Sequence, residues 1–156
     1  MLPNNLVEVR ENHRFKLDDL NKWVDNHLGN YGSITNIRQF VGGQSNPTFV
    51  VFFENKEKLI LRKKPPGKLL PSAHAIEREY RVQKALENSN VPCPKMIKLC
   101  EDESIIGTPF YLMNIIEGRV FESILDIKDK TGRKKYYIEL TRMLARLHNV
   151  NFSSIN

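Results

Sequence analysis

The run Thr48–Phe53, with the sequence TFVVFF, is the feature that most constrains how this chain can fold. A strand with one face in water alternates apolar and polar residues, whereas this run is apolar on both faces. Such a segment has to be covered on both sides. We therefore predict a strand in the interior of a sheet rather than at its edge.

Strand-like runs at 34–41 and 58–63 precede and follow this segment. The connection at 54–57 is short and polar, as in a hairpin, and short links between successive strands favour an antiparallel meander. Two further runs, near 96–100 and 109–115, also have strand character. The sequence therefore predicts an α+β fold built on a five-stranded antiparallel sheet.

Three segments have the apolar spacing of helices. Residues 17–28 form the first, and a long helix is predicted at 72–88, where Pro71 and Ser72 offer a start. The third segment ends near His148 and carries an apolar stripe on one face. The stripe consists of Tyr137, Leu140, Leu144 and Leu147.

These elements divide the chain into three parts: an N-terminal segment with a helix (1–33), the sheet with its long helix (34–118), and a helical piece (119–156). Residues 1–14 show no periodic pattern, so no regular structure is predicted there. Without more helices to cover it, the apolar stripe would fold back on the sheet or stay exposed. An exposed stripe predicts self-association.

The composition, 40% hydrophobic and 27% charged residues, is that of a globular protein. No apolar run approaches the roughly 18 to 20 residues that span a bilayer, and the N-terminus lacks the pattern of a signal peptide. We therefore predict an intracellular protein with no membrane span, cytoplasmic by default. The net charge of +6 invites a nucleic-acid hypothesis, but the basic clusters at 62–64 and 133–135 are short and lack interleaved aromatic residues. No nucleic-acid partner is predicted.

Cysteine and histidine give no metal signature. Cys93 and Cys100 match no metal or redox spacing and are interpreted as reduced thiols, and the four histidines are scattered. No metal site is predicted from this chain.

A glycine turn, Gly42 to Asn46, lies between two predicted strands. Walker and Rossmann loops are excluded because both need a helix after the glycines. A glycine turn between antiparallel strands can instead cover phosphates with its backbone amides and the Ser45 hydroxyl. The alternative is a simple hairpin turn in which glycine and asparagine supply positive φ. The sequence leaves both interpretations open.

Glu79 falls, with Gln83, in the apolar arc of the long helix. A carboxylate that faces a packed sheet is costly unless a cation meets it. The strand 58–63 ends in basic residues, so we predict an ion pair between Glu79 and this strand. Alternation places Arg62 and Lys64 on one face and Lys63 on the other, which leaves the partner open. A purely structural ion pair is the alternative to a ligand-binding role.

The order of these motifs resembles the N-terminal lobe of the aminoglycoside phosphotransferase and choline kinase group of kinase-like enzymes. Within that group, the chain is similar to the kinase-like N-terminal domain of eukaryotic fused acyl-CoA dehydrogenases over about residues 15–152. The segments that carry the resemblance are GGQSNPTF, LILRKKPPGKLLPSAHAIEREYRVQKAL, VPCPK, IGTPFYLMNIIEGRVF and LARLHNV. It implies a kinase-like N-terminal lobe with a hinge, followed by the first helices of an incomplete C-terminal lobe.

The resemblance also implies a nucleotide site. Arg62 stands where most relatives have the lysine that contacts phosphate, with Glu79 as its helix partner and Lys63 and Lys64 as fallback candidates. Met113 would back the adenine pocket. The backbone groups that would read the adenine edge belong to Asn114 and Ile116. The loop over the ATP phosphates would comprise Gly42, Gly43, Ser45 and Asn46.

The family's catalytic loop has no counterpart in these residues. Phosphoryl transfer needs a carboxylate for the acceptor hydroxyl and ligands for Mg²⁺, and no His-x-Asp motif with a following asparagine occurs here. His148 is interpreted as a packing or capping residue, and Asp126 and Asp129 as solvated. We therefore predict no catalytic residue in this chain and place the Mg²⁺ ligands outside it.

The expected function is the ATP-binding part of a small-molecule phosphotransferase that transfers the γ-phosphoryl group to a hydroxyl. The resemblance suggests a hydroxyacyl-CoA acceptor, fusion to a downstream C-terminal lobe and dehydrogenase domain, and a peroxisome or mitochondrion as location. The alternative is a truncated, non-catalytic fragment or pseudokinase that serves as a nucleotide-binding or interaction module.

Overall fold

The computed structural model describes residues 6–42, 45–67, 70, 73–121 and 123–154. Within these residues the chain forms six β-strands and four α-helices. In chain order they are β1 (Leu6–Val7), α1 (Leu17–Leu28), β2 (Ile34–Phe40), β3 (Thr48–Phe53), β4 (Lys58–Lys63), α2 (Ile76–Leu86), β5 (Met96–Cys100), α3 (Glu103–Ile106), β6 (Phe110–Asn114) and α4 (Lys130–His148).

The strands form one antiparallel sheet in the order β1-β2-β3-β4-β6-β5. The predicted interior strand β3 lies between β2 and β4, and Phe49, Val50 and Val51 are 0% exposed. Strand β6 pairs with both β4 and β5, so the last predicted strand of the sequence lies inside the sheet and β5 forms its edge.

Strand β1 corrects the prediction of five strands. Leu6 and Val7 lie in a segment for which no regular structure was predicted, and they pair with Phe40 and Gln39 on β2. Two residues are too few to show a period, and this strand is held by contacts distant in sequence. The amide of Arg10 donates to Oε1 of Gln39 at 3.0 Å, and the Gln39 side chain is buried.

One face of the sheet packs against α1. Leu20, Trp23 and Val24 of this helix are buried, and the indole of Trp23 meets the ring of Phe110 edge to face with centroids 4.9 Å apart. Strand alternation points every second side chain of β3, β4 and β6 towards this helix. These residues are Phe49, Val51, Phe53, Leu59, Leu61, Phe110 and Leu112.

The opposite face packs against α2. Its buried residues are Ile76, Met96 and Tyr111, with Tyr80 and Met113 partly buried around them. The helix is shorter than the predicted 72–88, and its predicted start at Pro71 and Ser72 lies outside the described residues. His74 has a φ of 56°, in the left-handed region, so the right-handed helix begins only after it.

Helix α4 begins at the cap residue Asp129, whose carboxylate accepts from the amides of Thr131 and Gly132. This assigns a capping role to one of the two linker aspartates that the sequence analysis treated as solvated. The apolar stripe of this helix is exposed, from Tyr137 to Leu147. Among the described residues, every helix is too short or too polar to cross a membrane.

Candidate functional site

Three elements meet on the α2 face of the sheet: the turn that leads into β3, the end of β4, and α2. Nε of Arg62 lies 2.9 Å from Oε1 and 3.1 Å from Oε2 of Glu79. The predicted ion pair is therefore confirmed, and Arg62 is the partner that the sequence left open. The strand pleat explains the choice, because it turns Arg62 to the face that α2 covers.

The two fallback cations lie elsewhere. Lys64 Nζ is 3.3 Å from Oε2 of Glu77, which lies on a different face of α2 from Glu79. A hydrogen bond to its own backbone and this lysine hold the pKa of Glu77 below its usual value. Lys63 points to the α1 face, where it is 3% exposed and its Nζ lies 5.5 Å from the ring centroid of Phe15. Burial lowers the pKa of Lys63.

Asn46 connects the glycine turn to the ion pair. Its Nδ2 donates to Oε2 of Glu79 at 3.1 Å, and its side chain is buried. Its carbonyl accepts from the hydroxyl of Thr48 at 3.1 Å, and that hydroxyl in turn accepts from Nη1 of Arg62 at 3.0 Å. The four residues thus close a ring of hydrogen bonds that joins turn, strand and helix.

His74 extends this ring and was missed in the sequence. Its Nδ1 lies 3.1 Å from Oδ1 of Asn46. The sequence shows only that this histidine shortly precedes the helix that carries Glu79, which by itself does not indicate contact with residue 46. His74 makes this contact from a left-handed backbone, with a φ of 56°.

Gln83, the other polar residue of the apolar arc, also has a partner. Its Nε2 donates to the hydroxyl of Tyr111 at 3.3 Å. Burial and the neighbouring charge of Glu79 raise the pKa of Tyr111 to about 12. The tyrosine therefore stays a neutral phenol at physiological pH and adds no charge beside the ion pair.

The glycine turn is described in part. Ser45 is exposed and Asn46 is buried, whereas Gly43 lies outside the described residues. Gly42 has no left-handed backbone, and a Cβ placed on it would meet no atom of the described residues within 4 Å. The described backbone therefore does not require glycine at position 42, and both interpretations of the turn stay open. Arg10 supports the turn from outside, because its Nη2 donates to the carbonyl of Val41 at 2.8 Å.

The predicted adenine-binding residues lie at the end of β6. Met113 is on the α2 face, paired with Ile60 and Met96 on its two neighbouring strands. The amide of Asn114 donates to the carbonyl of Lys95 at 2.9 Å, so that group is engaged within the protein. Ile116 follows the strand and is exposed. Their roles towards adenine stay predictions.

The described part of the chain contains no group of three or more histidine, cysteine, aspartate or glutamate side chains that could hold a metal ion. The site instead contains the guanidinium of Arg62, fixed by the carboxylate of Glu79, beside the turn that carries the exposed Ser45. Such an arrangement can bind and orient an anion. It does not by itself supply a base.

Comparison with known proteins identifies relatives of the same architecture. The model of the family described as "Phosphotransferase enzyme family" matches residues 36–155. The chain is 39% identical to human acyl-CoA dehydrogenase family member 11, covering 97% of this chain and 20% of that protein. It is 42% identical to mouse acyl-CoA dehydrogenase family member 10, covering 96% of this chain and 14% of that protein.

A solved structure agrees with these relatives. The crystal structure of a Ralstonia eutropha JMP134 protein assigned as an aminoglycoside phosphotransferase is 37% identical, with a TM-score of 0.73 over 92% of this chain and 41% of that one. The chain spans a fifth or less of the length of its acyl-CoA dehydrogenase relatives named above. The matched family model and the shared kinase-like fold show that this chain belongs to the phosphotransferase enzyme family.

Proposed function

We propose that this chain is the ATP-binding part of a small-molecule phosphotransferase. The observation that carries the proposal is the Arg62–Glu79 ion pair, held beside the glycine turn on the α2 face of the sheet. Nε and Nη1 of Arg62 are engaged by Glu79 and Thr48, and the side chain remains 26% exposed. Nη2, which makes no hydrogen bond to the described residues, is the group that we assign to phosphate.

The residues present fit the phosphate part of a nucleotide. A guanidinium binds phosphate oxygens with directed donors, and Glu79 fixes its orientation before the ligand arrives. When bound, ATP would supply the transferable γ-phosphoryl group. Because catalysis of this kind depends on position and charge, a fixed cation is the contribution that this lobe can make. The acceptor base and the Mg²⁺ ligands belong to residues outside this site.

For the acceptor we propose the hydroxyl of a hydroxyacyl-CoA. The support is the similarity to two proteins named as acyl-CoA dehydrogenase family members. A kinase-like domain that accompanies acyl-CoA chemistry would act on a related acyl compound. The described residues contain nothing that selects this acceptor, so the assignment depends on the relatives alone.

Arg62→Ala tests the nucleotide assignment. We expect the chain to bind ATP weakly, since kinase-like folds share the nucleotide between two lobes, and we expect the substitution to weaken binding by about tenfold, which corresponds to about 1.4 kcal/mol. Ligand-observed NMR at several ATP concentrations measures the affinity.

Arg38→Ala is the matched control, because Arg38 is also a sheet arginine in an ion pair, with Glu8, but lies on β2. Its affinity should equal that of the unmodified chain. Equal ATP affinity in all three proteins, or binding tighter than about 1 μM that needs Mg²⁺, would contradict the assignment of this lobe as a partial site.

A non-catalytic nucleotide-binding module is the second candidate. One feature favours it: arginine stands where, by resemblance, most relatives have the phosphate-contacting lysine. The two candidates differ in turnover. A phosphoryl-transfer assay on the native polypeptide, with hydroxyacyl-CoA as acceptor, would show ADP formation for the first candidate and none for the second.

A further inference from the structure

His74 is held in a conformation that its own sequence does not explain. Besides Lys56, it is the non-glycine residue with positive φ among those described, at 56°. Lys56 lies in the tight turn between β3 and β4, where such a conformation is usual. His74 lies instead in the segment before α2. A left-handed residue outside a hairpin persists when surrounding contacts hold it, and such residues are enriched at functional sites.

The proton positions in the contact follow from Glu79. A carboxylate only accepts hydrogen bonds, so the Asn46 atom that faces Glu79 is the donor Nδ2. Oδ1 of the same amide then faces His74 and accepts. His74 Nδ1, 3.1 Å away, therefore carries the proton. The ring is fixed as the Nδ1–H tautomer in its neutral form.

The side-chain amide of Asn46 donates through Nδ2 to Glu79 and accepts at Oδ1 from His74. It is buried, so loss of either partner leaves a polar group without a hydrogen bond. Without the His74 donor, Oδ1 of the amide loses its partner. Nδ2 still faces Glu79, because only a donor can meet a carboxylate, but the amide is then held at one end only. Glu79 would then hold the turn less firmly, although Arg62 would still contact it.

We propose that His74 is a positioning residue of this site: it holds the side-chain amide of Asn46, through Asn46 it steadies Glu79, and through Glu79 it orients Arg62. The proposal deepens the nucleotide-binding function proposed above and rests on it for its consequence. His74 does not contact phosphate. Its contribution is to hold the ring of hydrogen bonds so that Arg62 is already oriented when a phosphate binds.

Three substitutions separate the donor from the backbone. His74→Asn keeps a donor at the place of Nδ1, and asparagine tolerates the left-handed region. His74→Gly allows the same backbone with no donor. His74→Gln carries a donor one bond further out, where Asn46 is not reached. Circular dichroism confirms that each variant is folded.

The first readout needs no nucleotide. Long-range ¹H–¹⁵N spectra of the unmodified chain should show His74 protonated at Nδ1, and hydrogen exchange at Nε of Arg62 should report how firmly the ion pair is held. We expect exchange to quicken by about tenfold in His74→Gly and His74→Gln, and to stay within about twofold in His74→Asn. Protonation at Nε2 alone, or unchanged Arg62 exchange in the glycine variant, would overturn the proposal.

ATP affinity is the second readout. It should fall in His74→Gly and His74→Gln, in which hydrogen exchange at Nε of Arg62 quickens, and stay near that of the unmodified chain in His74→Asn. If exchange responds as expected while no protein binds ATP, the positioning role stands and the proposed nucleotide function fails. If ATP binds and all four proteins bind it equally, the positioning role fails and the nucleotide function stands.

Discussion

The two faces of the sheet are built from the same strands but in different ways. Between α1 and strands β3, β4 and β6 the contacts are apolar, as in the edge-to-face pair of Trp23 and Phe110. Under α2 the apolar cluster is small, and beside it a ring of polar side chains occupies the space. The first face supplies stability, whereas the second uses buried area for polar groups that fix one another in place. The α2 face, where these polar groups lie, is therefore the face on which a binding site is expected.

The largest loss of stability is expected on the α1 face. Phe49 is 0% exposed and its ring meets that of Phe15 edge to face, with centroids 5.8 Å apart. Phe49→Ala should lower the free energy of unfolding by about 3 to 5 kcal/mol, because it removes apolar contacts and leaves a cavity. Urea denaturation measures the change. Val82→Ala, at an exposed position of α2, is the control and should change the free energy of unfolding little. A loss of under about 1 kcal/mol for Phe49→Ala would show that the α1 face is not the main core.

The polar face should behave differently when its partners are removed singly or together. Glu79→Ala leaves Nε of Arg62 and Nδ2 of Asn46 without an acceptor, and we expect about 1 to 2 kcal/mol of destabilisation. This is less than for a fully buried pair, because both side chains keep a quarter to a third of their exposure and solvent screens them. Urea denaturation measures this change as well.

The double variant Arg62→Met with Glu79→Gln removes both charges and keeps an acceptor for Asn46. Its free energy of unfolding should recover to within about 1 kcal/mol of that of the unmodified chain. It should nevertheless bind ATP no better than Arg62→Ala does. Recovery of stability without recovery of binding would show that the pair is retained for position rather than for folding. If the double variant stayed as unstable as Glu79→Ala, the pair would be structural.

The local pattern of the sequence was enough for the elements that stabilise the α1 face. The predicted bounds of α1, β3 and β4 agree with the structure, because each has a strong apolar period of its own. Local pattern was not enough where long-range contacts decide. β1 is two residues long and depends on β2, so no period reveals it.

The site was predictable to the same limit. The helical period showed that Glu79 faces the sheet, and the composition of β4 showed that a cation would meet it. The choice of Arg62 needed the observed pairing of Lys64 with Glu77 and the burial of Lys63 on the other face. His74 was out of reach, because its contact with Asn46 spans 28 residues and depends on a left-handed backbone.

Alkaline pH gives an effect of similar size to Glu79→Ala, again on the α2 face. The pKa of Tyr111 is about 12 in the folded chain and about 10 in the unfolded chain. The folded chain therefore holds more protons between these values, so this stabilisation is complete below pH 10 and is lost as pH rises towards 12. The loss should be about 2 kcal/mol by pH 12.

Urea denaturation at pH 9 and pH 11.5 measures this loss, with Tyr111→Phe as the variant that lacks it. Tyr137→Phe, at an exposed position of α4, is the control and should lose as much stability as the unmodified chain. A Tyr111→Phe chain that lost as much stability between the two pH values as the unmodified chain would exclude Tyr111 as the cause.

The smallest effect on stability, and the sharpest distinction between turn and ligand, is expected at Gly42. Its backbone lies outside the left-handed region, and a Cβ there meets no atom of the described residues within 4 Å. Gly42→Ala should therefore keep the free energy of unfolding or raise it by about 0.4 to 1 kcal/mol. Gly29→Ala is matched to it, because Gly29 has a φ of −57° and an equally open Cβ position at the end of α1. The two substitutions should therefore affect folding alike.

They should differ in ATP affinity. A methyl group on Gly42 would hinder the approach of phosphate to the turn and weaken binding several-fold, whereas one on Gly29 would not. Equal ATP affinity in both variants would mean that the glycine turn does not cover the phosphates, and the nucleotide assignment would then depend on Arg62 alone.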